Sequence, residues 1–187
     1  MEHFYSKIDG WFTFPNLYKE MVKRHSSGAH FVEIGSWHGR SSSYMAVEIL
    51  NSQKDIKFDC VDTWEGSLEH SLRDEIITGT LYDLFLKNIE SVSHIINPIR
   101  MRSLEAVNLY SDNSLDFVFI DASHDYKNVM DDIRAWYPKV KAGGVLAGHD
   151  YTDGWVDLVR AVDDFLFENK LVLDINSEDC WGIIKGS

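Results

Sequence analysis

A doubly wound α/β sheet is the fold class this sequence predicts, and three observations carry that expectation. Short apolar runs alternate with amphipathic segments along the chain, the order that lays parallel strands between crossover helices. Several runs close on an acid, at Glu33, Asp62 and Asp121, and strand carboxyl ends are where such sheets meet their ligands. Between the first run and its helix stands Glu33-Ile-Gly-Ser-Trp-His-Gly39, which reads as a strand, a tight turn and a helix start.

Composition sets the bounds. A chain of 187 residues, 44% hydrophobic and 13% aromatic, fits one domain over 1–187 that buries roughly 70% of its unfolded surface. The net charge of −12 repels a phosphate backbone, and no basic run offsets it, so no nucleic acid is expected as partner. Cys60 and Cys180 are too few for a disulfide framework and read as structural thiols. No signal-peptide core and no run of about 18 apolar residues appears. The expectation is a soluble, cytoplasmic protein without a membrane partner.

Taken in order, residues 1–29 precede the first strand. Apolar residues at 14, 17, 18, 21 and 22, just after Pro15, have the spacing of a one-faced helix. It is expected to cover a sheet edge, make a homo-oligomer contact, or act as a lid. Strand one spans about 30–35, with a helix from Ser41 as N-cap to about Leu50. Strand two is Phe58 to Asp62. Residues 64–79 lack a clean period and exceed the usual connection, which suggests a substrate loop. A helix follows from Leu81, then strand three near Pro98 to Arg102. Strand four, Leu115 to Asp121, is apolar enough to lie buried on both faces. The helix beyond it has apolar positions from 129 to 140 and stops at Pro138 and Gly143-Gly144. Strand five is Val145 to Asp150, a helix covers Trp155 to Glu168, and Leu171 to Leu173 with Trp181 to Ile184 form a closing antiparallel hairpin.

The glycine turn discriminates among cofactors. A dinucleotide loop counted from Gly35 needs glycines where Trp37 and Arg40 stand, and a P-loop needs Gly-Lys-Ser/Thr where Arg40 and Ser41 stand. A nucleophile elbow would place serine at position 37. Asp62 lies 23 residues past Gly39, near where an acid holds ribose hydroxyls. The looser acid-x-Gly-x-x-x-Gly turn, with Val61-Asp-Thr-Trp-Glu-Gly66 and Phe119-Ile-Asp-Ala-Ser-His-Asp-Tyr126, resembles class I S-adenosylmethionine-dependent methyltransferases. The likeness covers about residues 30–151 and is strongest to the small-molecule branch of macrocin and cephalosporin-type O-methyltransferases.

That resemblance implies a Rossmann-like, mostly parallel seven-stranded sheet with an antiparallel closing strand and helices on both faces. It implies an S-adenosylmethionine cradle from Glu33, Gly35, Ser36, Trp37, Gly39, Asp62, Trp64 and Ser103. It also implies magnesium or manganese held by Asp121, His149 and Asp150, with His124 as general base. His149 departs from the oxygen ligand usual there, and magnesium prefers oxygen, which leaves the metal open. The expected activity is methylation of a small hydroxylated molecule, a sugar or vicinal diol. The alternatives are a metal-independent methyltransferase, a non-catalytic scaffold subunit, and a nicotinamide enzyme.

Overall fold

A computed structural model of the chain describes residues 1–66 and 71–186. Five parallel strands form the body of the sheet: β1 (His30–Ile34), β2 (Lys57–Asp62), β3 (Ile96–Arg100), β4 (Leu115–Ile120) and β5 (Val140–Gly148). The hairpin β6 (Ile175–Ser177) and β7 (Cys180–Ile184) completes it, β7 antiparallel to β5. The strand order is β3-β2-β1-β4-β5-β7-β6. The order reverses between β1 and β4, the position at whose carboxyl ends sheets of this kind bind their ligands.

Helices cover both faces. On one lie α1 (Pro15–Arg24), α2 (Arg40–Ser52), α3 (Asp74–Ile77) and α4 (Leu81–Asn88); on the other lie α5 (Ser103–Ala106), α6 (Tyr126–Trp136) and α7 (Val156–Asn169). Residues Phe31, Phe117 and Phe119 face the first core, while Val32, Val118 and Ile120 face the second, the two-residue alternation of a sheet buried on both sides. Cys60 and Cys180 are free and buried.

The N-terminal segment covers a sheet face, not an edge. Phe14, Leu17, Tyr18, Met21 and Val22 are all buried, with Phe14 4.6 Å from Phe119 and Tyr18 5.0 Å from it, centroid to centroid. Pro15 opens α1, where its missing N–H is no loss. Glu178, in the β6–β7 turn, accepts from the Leu17 and Asn16 amides and from the Asn16 side chain, capping the helix from outside. The helix's apolar face is therefore consumed inside the chain.

Four boundaries differ from expectation. Strand three begins at Ile96, and Pro98 is tolerated because β3 is the sheet's edge. Strand five begins at Val140 and runs through the glycine pair, which sequence reads as a stop; a Cβ on Gly144 would lie 2.9 Å from the Asp116 carbonyl, so the close backbone approach requires glycine. The hairpin's first strand is Ile175–Ser177, with Leu171 and Leu173 packed into the second core instead. Ser41 does not cap α2: Gly39, at φ 84°, holds the N-cap position and Ser41 is buried. The predicted loop over 64–79 contains α3, and its residues 67–70, including His70, lie outside the described residues.

One buried acid makes the second core pH-sensitive. Asp132 on α6 is 6% exposed, and burial, reinforced by Asp131 and Asp125 against the Ser103 hydrogen bond, pushes its carboxyl up to about 6. The folded state thus holds a proton that the unfolded chain releases near pH 4, so stability falls as pH rises through that window. Asp132→Asn, which keeps an acceptor for Ser103, is expected to gain up to about 3 kcal/mol at pH 7.5 and nothing at pH 3. Denaturant titrations at the two pH values check this; an equal gain at both would mean burial of the charge is not the cause.

Candidate active site

The turn after β1 is braced from below. Glu33 is 1% exposed and accepts hydrogen bonds from Tyr18 (2.8 Å), Ser36 (2.8 Å) and Ser42. Burial raises its pKa despite these hydroxyls. Both Glu33 oxygens are turned toward hydroxyls of the first core, which braces the turn from beneath. Ser36 is likewise 2% exposed, its hydroxyl on Glu33.

Asp62 braces the turn from the side. Its Oδ2 accepts from the Ser36 and Trp37 amides, 2.9 Å each, and its Oδ1 from the Trp64 amide at 2.8 Å. Burial raises this carboxyl's pKa while those backbone donors oppose the rise. Gly35, at φ 88°, passes so close to β4 that a Cβ there would lie 2.0 Å from the Asp121 carbonyl oxygen. Gly39 packs against Ile89 and Phe85, where a Cβ would come within 2.9 Å. The turn is thus glycine at both ends for reasons of space as well as of backbone conformation.

Beside Asp62, at the ends of β2 and β3, a cavity of about 220 Å³ is lined by Thr63, Glu65, Arg100, Met101, Arg102 and Glu105. Two further residues expected at a cofactor, Trp64 and Ser103, carry internal contacts. Trp64 is 2% exposed, packed on Tyr82 and Phe85, with its indole N–H on the Trp37 carbonyl. Ser103 starts α5 and donates to Asp132 at 2.5 Å while accepting from the Trp136 indole at 2.8 Å. A larger cavity, about 510 Å³, lies at the opposite, amino-terminal end of β2 and β3. Two of its charged groups are already partnered: Asp59 by His30, Asn97 and Tyr110, and the Lys54 ammonium by three carbonyls near the end of α1.

The acid-histidine cluster assembles at the ends of β4 and β5. Asp121, His124 and Asp150 each offer a ligand atom within 4.8 Å of the others, the group among the described residues that could hold a metal ion. His124 Nε2 lies 2.8 Å from Asp150 Oδ2, and its ring stacks on Trp155 at 3.8 Å. Asp125, not Asp121, caps α6, accepting from the Asn128 amide, which leaves Asp121 available. Two carboxylates and an imidazole suit manganese, and suit magnesium less.

His149 is placed differently from the other three. It is 7% exposed, its Nε2 is 2.9 Å from Thr13 Oγ1, and its Nδ1 is 3.3 Å from Asp150 and 3.7 Å from Asp121. Burial alone would lower its pKa, but the two carboxylates outweigh it and push the ring up to about 10. Asp150 answers in the other direction: burial opposes its charge, yet His124 and His149 hold it well below the usual carboxylate range. Asp150 also sits at φ 61°, a left-handed conformation that aspartate tolerates better than most residues.

Thr13, Trp155 and Arg73 carry contacts that the sequence did not signal. Arg73 binds Asp9 at 2.8 Å and Glu75 at 3.1 Å, with the Trp11 and Trp37 rings each 5.5 Å away. His38, inside the glycine turn, is 6% exposed and 3.1 Å from Glu75.

A family model described as a methyltransferase domain matches residues 32–151. A protein of Acanthamoeba polyphaga mimivirus is 28% identical over 152 residues, covering 79% of this chain and 61% of its own length. The chain spans less than two thirds of the curated relatives it matches, 13% of one and 61% of the other. Among solved structures, the O-methyltransferase NovP superposes with a TM-score of 0.71 at 15% identity, over 92% of this chain and 79% of that one. The O-methyltransferase TomG from Streptomyces achromogenes, solved with S-adenosylmethionine, gives 0.65 at 14% identity, over 96% and 82%. None of the described helices is long and apolar enough to cross a membrane.

Proposed function

Since the chain belongs to the methyltransferase-domain family, we propose that it is an S-adenosylmethionine-dependent O-methyltransferase, one domain over 1–187, acting on a small hydroxylated substrate such as a sugar or vicinal diol. The observation that carries this is the pairing of a turn that lacks the glycines of a dinucleotide loop, its amides held by Asp62, with an acid-histidine cluster at the ends of β4 and β5. TomG, solved with S-adenosylmethionine, supports the choice of cofactor. The residues expected to meet the cofactor are the turn 35–39, Asp62 and the cavity beside it.

S-adenosylmethionine, when bound, supplies a methyl group already activated on a sulfonium, and a divalent ion held by Asp121 and Asp150 would lower the pKa of an acceptor hydroxyl. The chain's own work is to orient the acceptor and take its proton. Asp150 orients His124 through the 2.8 Å bond, and Trp155 holds the ring flat against it. An oriented imidazole then receives the proton. That same bond favours a second mode, transfer by the His124–Asp150 pair without metal. A non-catalytic scaffold is less well supported, because the apolar face it would offer, on α1, is buried; of the N-terminal aromatics named above, Trp11 remains 62% exposed for a homo-oligomer contact. We place the protein in the cytoplasm, without nucleic acid or membrane partners.

Turnover assays with S-adenosylmethionine and a panel of vicinal diols, run with and without a chelator, test the proposal. Manganese- or magnesium-dependent methylation is the expected result. Chelator-insensitive methylation would select the metal-free mode, and tight binding of NAD without S-adenosylmethionine would overturn the cofactor assignment.

A further inference from the structure

We propose that Thr13 and His149 form a positioning pair that holds the Asp121 and Asp150 carboxylates for the cation, His149 acting through the two acids and not as a ligand. This rests on the cation reading above and names how the chain shapes that site.

The ring is fixed on every side. It is 7% exposed, lies 4.7 Å from the fully buried Phe14 ring, and its backbone amide bonds the Ile120 carbonyl at the end of β4. Both nitrogens face inward: Nε2 meets the Thr13 hydroxyl, and Nδ1 lies between one oxygen of Asp150 and one of Asp121. At 3.3 Å from the Asp150 oxygen and 3.7 Å from the Asp121 oxygen, Nδ1 is turned onto the acids themselves. The convergent set accordingly contains His124 and omits His149.

Thr13 is held as firmly as the ring it meets. Upstream, Arg40 donates to the Gly10 carbonyl at 2.5 Å and Arg73 to Asp9 at 2.8 Å. Downstream, Phe14 is buried and Glu178 caps α1. The N-terminal segment therefore delivers one hydroxyl to the far side of the imidazole, and the imidazole sets the angle at which both acids face the crevice. Groups that orient metal-ligating side chains typically change metal affinity 10–100-fold when removed.

The test is manganese binding by the full chain, followed by electron paramagnetic resonance, in the wild type and in Thr13→Val, Thr13→Ser, His124→Gln and Asp121→Asn. Valine keeps the shape of threonine and loses the hydroxyl; it is expected to weaken manganese binding about 10-fold or more, with the melting temperature nearly unchanged and serine restoring affinity. In His124→Gln the bound ion should show no nitrogen coupling. Wild-type affinity in Thr13→Val, a large drop in melting temperature that serine does not rescue, or nitrogen coupling that survives in His124→Gln would each overturn the pair. Those outcomes differ from failure of the cation reading itself, in which the wild type binds no manganese and the pair has nothing to position.

Discussion

Gly35→Ala is expected to destabilise the protein by about 3–5 kcal/mol and to abolish cofactor binding. Two causes act together. At φ 88° a side chain is strained by about 1–2 kcal/mol, and the new Cβ would lie 2.0 Å from the Asp121 carbonyl oxygen and 2.6 Å from its carbon. Both contacts are backbone, so no side-chain rotation relieves them. The strand end must move, although the Asp121 amide is bonded to the Ile34 carbonyl at 2.8 Å and the Gly35 amide to Val61. Because Asp121 belongs to the acid-histidine group, cation affinity should fall along with cofactor affinity. A domain of this size loses roughly 2–4 °C per kcal/mol, so the melting temperature should drop by about 10 °C. Scanning calorimetry measures it; a drop under about 2 °C would show that the turn yields more easily than its contacts imply.

Asp150→Asn is expected to lower methyl transfer at least 100-fold while leaving S-adenosylmethionine affinity within a few-fold. Asparagine matches the size of aspartate and tolerates the same left-handed backbone at φ 61°, so the change removes charge with little strain. It removes the orienting acid of His124 and one of the two carboxylates near His149. With that acid gone, His149 should titrate below the value of about 10 to which the pair pushes it. Initial rates alongside calorimetric titration of the cofactor separate the two effects. Full turnover in the variant would remove Asp150 from the chemistry, and joint loss of turnover and cofactor affinity would mean that the substitution disturbs the turn.

Much of this arrangement is legible in the sequence because it is local. Strand ends marked by acids, the glycine pair at 35 and 39, and the apolar spacing of α1 each report on a few neighbouring residues. The sheet order and the meeting of Asp121, His124 and Asp150 at adjacent strand ends follow from that alternation. What escaped is what depends on which way a side chain turns. Glu33 stands in a strand, where alternate positions face opposite sides, and its acid is aimed at Tyr18 and Ser42 in the core. Ser103 is claimed by Asp132 and Trp136 from a helix more than 25 residues away. The Thr13–His149 contact joins residues 136 apart in sequence, and nothing near either residue announces the other. Gly143-Gly144 misleads for a different reason: glycine marks both a helix stop and a strand pressed against a neighbouring backbone, and here the second holds at Gly144.

Calorimetric titration of the intact chain with S-adenosylmethionine and, separately, with NAD tests the central claim most directly, because the claim concerns which adenosine-bearing cofactor the bend after β1 accepts. The account predicts one S-adenosylmethionine bound per chain, no heat with NAD, and loss of the first signal in Gly35→Ala. Heat with NAD alone, or S-adenosylmethionine binding that survives in a folded Gly35→Ala protein, would contradict it.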